Sequence, residues 1–319
     1  MTENYAHTEK IVSVRNLVID HPEFDHAYKV INNAYSLREK FNSPQNIICV
    51  GQSGTGKSTL KEKIKNNYPR YIQENQAFIP VLVVDTPSVP TVKNLAEEML
   101  LQLGDVRYNK GSTIEKTNRI LNYMKKCDVK LLIFDELQHF IDQGKKRTPH
   151  EVSDWLKTVI DKAGASTILM GLSRCEGILK INEQLRRRFC KRIDIRPFNL
   201  NEAESRSSFV GVIKILDHHF SLRNNIDLKD KKILTSIYFA TNGIIDYMIK
   251  LFIGAFEVAI ETNTDGITKE CLYCAFKENI WVEGINKLNP FSDDFINMNL
   301  DKPGMPFHKF EIDQVERVE

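Results

Sequence analysis

No apolar run in this chain is long enough to cross a bilayer. The best candidate, YMIKLFIGAF, is short and is broken by Lys250. The first residues, MTENYAHTEK, lack the apolar stretch of a signal peptide, so a cytoplasmic protein is expected. Charge of neither sign dominates. The 44 Lys and Arg set against 42 Asp and Glu leave a formal net charge of +2. Any nucleic-acid face must therefore come from local clustering of cations. Cysteine is sparse and scattered, at positions 49, 127, 175, 190, 271 and 274, which fits a reducing compartment. Cys271 and Cys274 form a CxxC with no second pair near it, so helix neighbours are expected there and zinc is not. Cys49 lies in an apolar run and reads as a small buried hydrophobe. There is no internal repeat.

What is present is an alternation of two patterns. NIICV (46–50) is a short apolar, β-branched run; FIPVLVVD (78–85), KLLIFDE (130–136) and STILMGLS (166–173) are further strand candidates, and KRIDIRP (191–197) is a fifth strand, ending at proline. Between them lie helical periods: residues 11–42 (interrupted by His21-Pro22), LKEKIKNNY, residues 91–103 with Thr91 as the N-cap, residues 112–127 and residues 150–164. Strands alternating with helices predict βαβ crossovers and a five-stranded parallel sheet covered on both faces. From Asn201 the strand signal stops and helical segments follow. The expected division is an N-terminal helical segment (1–45), an α/β core (46–200), a helical lid (201–289) and a flexible tail (290–319). The tail is short of periodicity and carries Phe291, Phe295, Phe307 and Phe310. It reads equally as a docking hook or as a terminus packed on its own lid.

The stretch Gly51-Gln52-Ser53-Gly54-Thr55-Gly56-Lys57-Ser58 follows a strand, opens a helix and matches GxxxxGK[ST]. Its glycines let backbone N–H groups turn toward phosphates, and the helix N-terminus adds positive potential. Lys57 is expected to reach the β- and γ-phosphates of a nucleotide and the Ser58 hydroxyl to ligate Mg²⁺, with Thr59 completing the loop. Asp135 and Glu136 end a buried strand, on the side where parallel sheets bind ligands. Asp135 is the candidate metal holder, through water. Glu136 is the candidate base for an attacking water, which favours hydrolysis. Arg186, Arg187, Arg188, Lys191 and Arg192 crowd the approach to the fifth strand. No transition-state cation is evident in cis, so Arg188, with Arg187 next, is the candidate arginine finger from a second copy. Ser173, at the end of the fourth strand, is a candidate sensor of the γ-phosphate or a strand-end cap.

The phosphate loop, LLIFDELQHF, the GLS strand end and QLRRRF together resemble AAA+ ATPases, and more narrowly the TnsC/TniB family of transposition regulators. The resemblance runs from about Glu9 to Asn289; DELQHF with QLRRRF is what narrows it. It implies an AAA+ sheet with a helical lid and weak ATP hydrolysis stimulated by oligomerisation or partners. It also implies a homo-oligomeric ring or filament on double-stranded DNA, with nucleotide between neighbours. Such an assembly would link a TniQ-type target-selection adaptor to the transposase and come apart on hydrolysis. The position after Gly243-Ile-Ile, where such lids often carry a second-sensor arginine, holds Asp246. The same resemblance directs DNA contacts to Lys93, Arg107, Lys110, Lys116 and Arg119, with Lys145, Lys146 and Arg147 after the acids. The alternatives are an initiator-like AAA+ loader or signalling ATPase, and a scaffold that binds ATP without turnover.

Overall fold

A computed structural model of the chain describes residues 2–142, 148–224 and 226–308, without the side chains of 2–6 and 148. The N-terminal stretch forms α1 (Thr2–Arg15) and α2 (Pro22–Phe41), parted where His21-Pro22 breaks the period. Then come β1 (Asn46–Gly51) and α3 (Lys57–Asn67), followed by a hairpin of β2 (Tyr71–Gln73) and β3 (Gln76–Phe78). The chain continues through β4 (Val81–Asp85), α4 (Val92–Gln102), α5 (Thr113–Lys126), β5 (Leu131–Asp135), α6 (His139–Asp142), α7 (Thr148–Ala163) and β6 (Ser166–Gly171). After a 3-10 turn over Ser173–Glu176 follow α8 (Gly177–Ile181), α9 (Glu183–Arg186) and β7 (Lys191–Ile195). The last helices are α10 (Ala203–Phe220), α11 (Lys231–Thr241), α12 (Ile245–Glu261) and α13 (Lys269–Asn279).

Two compact units result, one of residues 23–196 and one of residues 1–22 with 197–319. The first holds the five-stranded parallel sheet in the order β4-β5-β6-β1-β7. Side chains alternate across its strands, so both faces are apolar. Val50, Val84, Leu132 and Phe134 pack against α4, α5 and α7 on one face. Ile47, Cys49, Ile133 and Ile168 pack against α2 and α3 on the other. Thr91 caps α4 by accepting from the Asn94 N–H at 3.1 Å. Ser112 and Glu115 form a reciprocal capping box on α5. Each cap contributes about 1 kcal/mol. The hairpin has no counterpart in the sequence reading. Its turn residues Glu74 and Asn75 have φ 50° and 61°, and Tyr71 stacks on Phe78 at 4.9 Å.

The second unit is helical. Its core gathers Phe209, Phe220, Phe252, Phe256 and Phe276 from α10, α12 and α13, with Phe220 stacked on Phe256 at 4.4 Å. Cys271 and Cys274 are neighbours on α13. Two expectations about organisation change here. Residues 1–45 do not stay together: Val14 and Ile19 join the helical core, whereas Phe24, Ala27, Ile31 and Tyr35 of α2 pack under the sheet. Nor do residues 290–308 form a free tail. Phe291, Leu300 and Phe307 are buried in the helical core, and Phe307 meets Tyr247 edge-on at 5.1 Å. Burying apolar side chains outweighs the ordering of an aperiodic segment. Phe310 lies outside the described residues.

Candidate functional site

The phosphate loop begins where β1 runs out beside β7. A Cβ at Gly51 would stand 2.5 Å from the Ile195 carbonyl oxygen and 2.8 Å from Thr55 Oγ1, so no larger residue fits without a shift. Gly56 has φ 100°, a conformation that side chains resist, and it leads directly into α3. The Thr55 hydroxyl closes the loop by donating to the Gln52 carbonyl at 2.8 Å. Lys57 is only 6% exposed, and its ammonium donates to the Gly51 and Gln52 carbonyls at 2.8 and 2.7 Å. Burial lowers its pKa, and the carboxylates of Glu136 and Asp135 pull the other way. Ser58 and Thr59 are exposed in the first turn of α3.

The acids sit at the carboxyl ends of two neighbouring strands, with Asp85 of β4 in register with Asp135 of β5. Asp135 is 2% exposed and fully engaged. Its Oδ1 accepts the Glu136 N–H at 2.8 Å, its Oδ2 accepts from Lys61 Nζ at 2.7 Å, and its carbonyl takes the Thr86 N–H and hydroxyl. Lys61 donates to Asp85 Oδ1 as well, at 2.7 Å. Burial pulls the Lys61 pKa down, but hydrogen bonds to Asp135 and Asp85 outweigh it and leave it raised. Glu136 has φ 57°, so the chain turns sharply at this residue. Its carboxylate accepts from the Gln138 side-chain amide and lies 3.8 Å from His139 Nε2. Gln138 is 1% exposed; its carbonyl oxygen accepts the Leu172 N–H at 3.1 Å, tying the Glu136 turn to the end of β6. Ser173 follows directly, exposed at the start of the 3-10 turn. Arg174 grips Asp142 through two hydrogen bonds of 2.5 and 2.6 Å.

The residues present fit a magnesium nucleotide. The Lys57 ammonium is held by backbone carbonyls rather than by a carboxylate, two hydroxyls stand open at the helix start, and two acids lie within electrostatic reach of Lys57. Sequence reasoning missed Lys61, Gln138 and Arg174. The signal for Lys61 was its spacing, four residues after Lys57 and hence on the same helix face. Gln138 stood in DELQHF but reads there only as part of a pattern.

Arg188 is bound to Asp161 by hydrogen bonds of 2.6 and 2.9 Å. Arg187 has a side chain 75% exposed and pairs with Glu183, one helical turn back. Among the cations expected on DNA, Lys93 keeps a side chain 61% exposed, and Arg107 and Lys110 are exposed on the loop between α4 and α5. Arg119 is turned inward. It donates to the Arg107 and Lys110 carbonyls at 3.1 and 2.8 Å and lies 3.3 Å from Asp105. Lys116 must be removed from the expected DNA face: it is 0% exposed, donates to the Asn109 and Gly111 carbonyls and pairs with Glu97 at 3.2 Å. A buried ammonium persists only with such partners, and none of its surface reaches a phosphate. Lys145, Lys146 and Arg147 lie outside the described residues.

The family described as bacterial TniB protein matches residues 12–198. A comparison with curated proteins finds no match. Among solved structures, Cdc6p from Pyrobaculum aerophilum is similar at 13% identity and TM-score 0.56, over 82% of this chain and 68% of that one. The ORC1 protein of Aeropyrum pernix, solved in complex with DNA, is similar at 14% identity and TM-score 0.56, over 82% and 66%. A Walker-type ATPase of Pyrococcus abyssi follows at 14% identity and TM-score 0.51, over 79% and 71%. At these identities the likeness is one of fold, and the fold is that of AAA+ ATPases with a helical C-terminal region.

Proposed function

The chain belongs to the TniB family, and from that premise we propose that it is an ATP-dependent regulator of DNA transposition that assembles on double-stranded DNA. The observation that supports it most is the gathering of Lys57, Asp135 and Glu136 at the carboxyl end of one sheet within the matched residues. In this reading Lys57 neutralises the β- and γ-phosphates, and Ser58 with Asp135 holds magnesium, Asp135 through water. Magnesium, when bound, supplies positive charge to the phosphate oxygens. Glu136 orients the attacking water and takes its proton, and Ser173 contacts the γ-phosphate. Arg188, or Arg187 beside it, reaches into the site of a neighbouring copy, where a guanidinium stabilises the charge that develops on phosphoryl transfer. Asp161 holds Arg188 until that neighbour docks.

Lys93, Arg107 and Lys110 are the cations offered to DNA phosphates, giving binding that is independent of sequence and sensitive to salt. The assembled chain links a TniQ-type adaptor to the transposase, and hydrolysis releases it. The test is assembly on a labelled DNA duplex, followed by mass photometry. With ATP and Mg²⁺ the wild-type chain forms DNA-bound oligomers, and Lys57→Ala forms none. A wild-type chain that stays monomeric with ATP and duplex overturns the proposal.

A further inference from the structure

Lys61 joins two carboxylates that stand side by side. Asp85 and Asp135 are register partners on adjacent parallel strands, both at the carboxyl end. Left alone, two acids this close repel each other and attract a divalent cation. Here the Lys61 ammonium sits between them, 2.7 Å from an oxygen of each. Its side chain is 11% exposed and that of Asp135 is 3% exposed, so water screens this pairing little, while Asp85 at 67% keeps one side open to solvent. The lysine comes from the same helix as Lys57 and Ser58, one turn further on. Asp135 therefore has one oxygen on its own loop, through the Glu136 N–H, and the other on α3.

We propose that Lys61 is a positioning residue that fixes the Asp135 carboxylate and, as a built-in cation, keeps the Asp85–Asp135 pair from capturing a divalent metal before nucleotide arrives. The proposal rests on the reading of Asp135 as the metal-holding acid. It explains why an ammonium one helical turn beyond Lys57 is bonded to Asp85 and Asp135: its charge serves the acids. Metal then enters with the nucleotide's own phosphates, and an empty site stays free of metal.

The test is binding of Mn²⁺ alone, without nucleotide, read by the loss of its free electron paramagnetic resonance signal. Lys61→Met removes the charge and keeps the stem; Lys61→Gln keeps a donor and carries the test if the first variant does not fold, as judged by circular dichroism. The wild type binds Mn²⁺ weakly. Either variant tightens binding about tenfold or more, because buried Asp135 and exposed Asp85 lose their shared counter-ion. Adding Asp85→Asn to the variant abolishes the gain, and Lys61→Arg behaves as the wild type. A folded variant whose Mn²⁺ affinity stays within about twofold of wild type overturns the inference. Fluorescent ATP binding to the wild type, run in parallel, reports on the nucleotide site itself. Its failure refutes the proposed function, while an unchanged Mn²⁺ affinity refutes only the role of Lys61.

Discussion

Replacing Lys116 with Met keeps the aliphatic stem and removes the ammonium. In the sheet-bearing unit that ammonium joins Glu97 of α4 to the carbonyls of Asn109 and Gly111, while Lys116 itself belongs to α5. Breaking a buried ion pair by deleting one partner costs about 3–5 kcal/mol. Glu97 keeps 22% of its side chain exposed and the 109–111 loop is at the surface, so water can reach the orphaned groups. The lower end, about 3 kcal/mol, therefore applies. For a unit of this size each kcal/mol lowers the melting temperature by about 2–4 °C, giving a fall of about 6–12 °C. Scanning calorimetry measures it. The same variant, titrated with duplex DNA at several salt concentrations below its melting range, keeps the wild-type salt slope. Arg107→Ala and Lys110→Ala each lower that slope by about one. A melting shift under about 2 °C, or a reduced salt slope for Lys116→Met, refutes the account of Lys116 as a buried strut.

Three further outcomes follow from the geometry. Glu136→Gln lowers ATP turnover by about 10²–10⁴-fold, as loss of a general base does, while ATP binding persists and oligomers accumulate on DNA; phosphate release and gel shift measure the two effects. Phe307→Ala empties a site that is 6% exposed in the helical core and costs about 3–5 kcal/mol in urea titration, which a free tail would not show. Burial pushes the Cys49 and Cys175 thiols up to about 12, so iodoacetamide at pH 8 spares both in the native chain and modifies exposed Cys190 first; mass spectrometry reads the order.

The parallel sheet was legible because four of its strands are apolar runs of the right length between helical periods, a pattern that burial on both faces imposes, while edge strand β7 (KRIDI) buries only Ile193 and Ile195 and shows as an alternation. The nucleotide loop was legible because its glycines and lysine occupy fixed positions for a mechanical reason visible at Gly51 and Gly56. What was hidden was the use of charge. Lys116 sits in an amphipathic period as a polar residue, and nothing in the pattern says that it points inward to hold a loop. Lys61 carries no mark of its role within LKEKIKNNY, because its partners Asp85 and Asp135 come from distant strands that only the fold brings together. The hairpin of β2 and β3 escaped because its strands are three residues each and mostly exposed, leaving no buried alternation to read. The segment after Asn289 was misjudged in part because its apolar anchors are isolated, and isolated anchors have no period.

The central claim is that the Lys57 loop and the acids at 135 and 136 grip a nucleotide whose site is completed by a second copy. Mixing two inactive variants tests it most directly. Glu136→Gln binds ATP and assembles but has a dead site with intact arginines, while the double variant Arg187→Ala, Arg188→Ala has an intact site and lacks both candidate fingers. Each alone is expected to show no DNA-stimulated ATP turnover. Mixed in equal amounts on duplex DNA, they recover about a quarter of the wild-type rate, the share of intact sites that meet an intact arginine by chance. A mixture as silent as its parts, or an arginine variant as active as the wild type, contradicts the account.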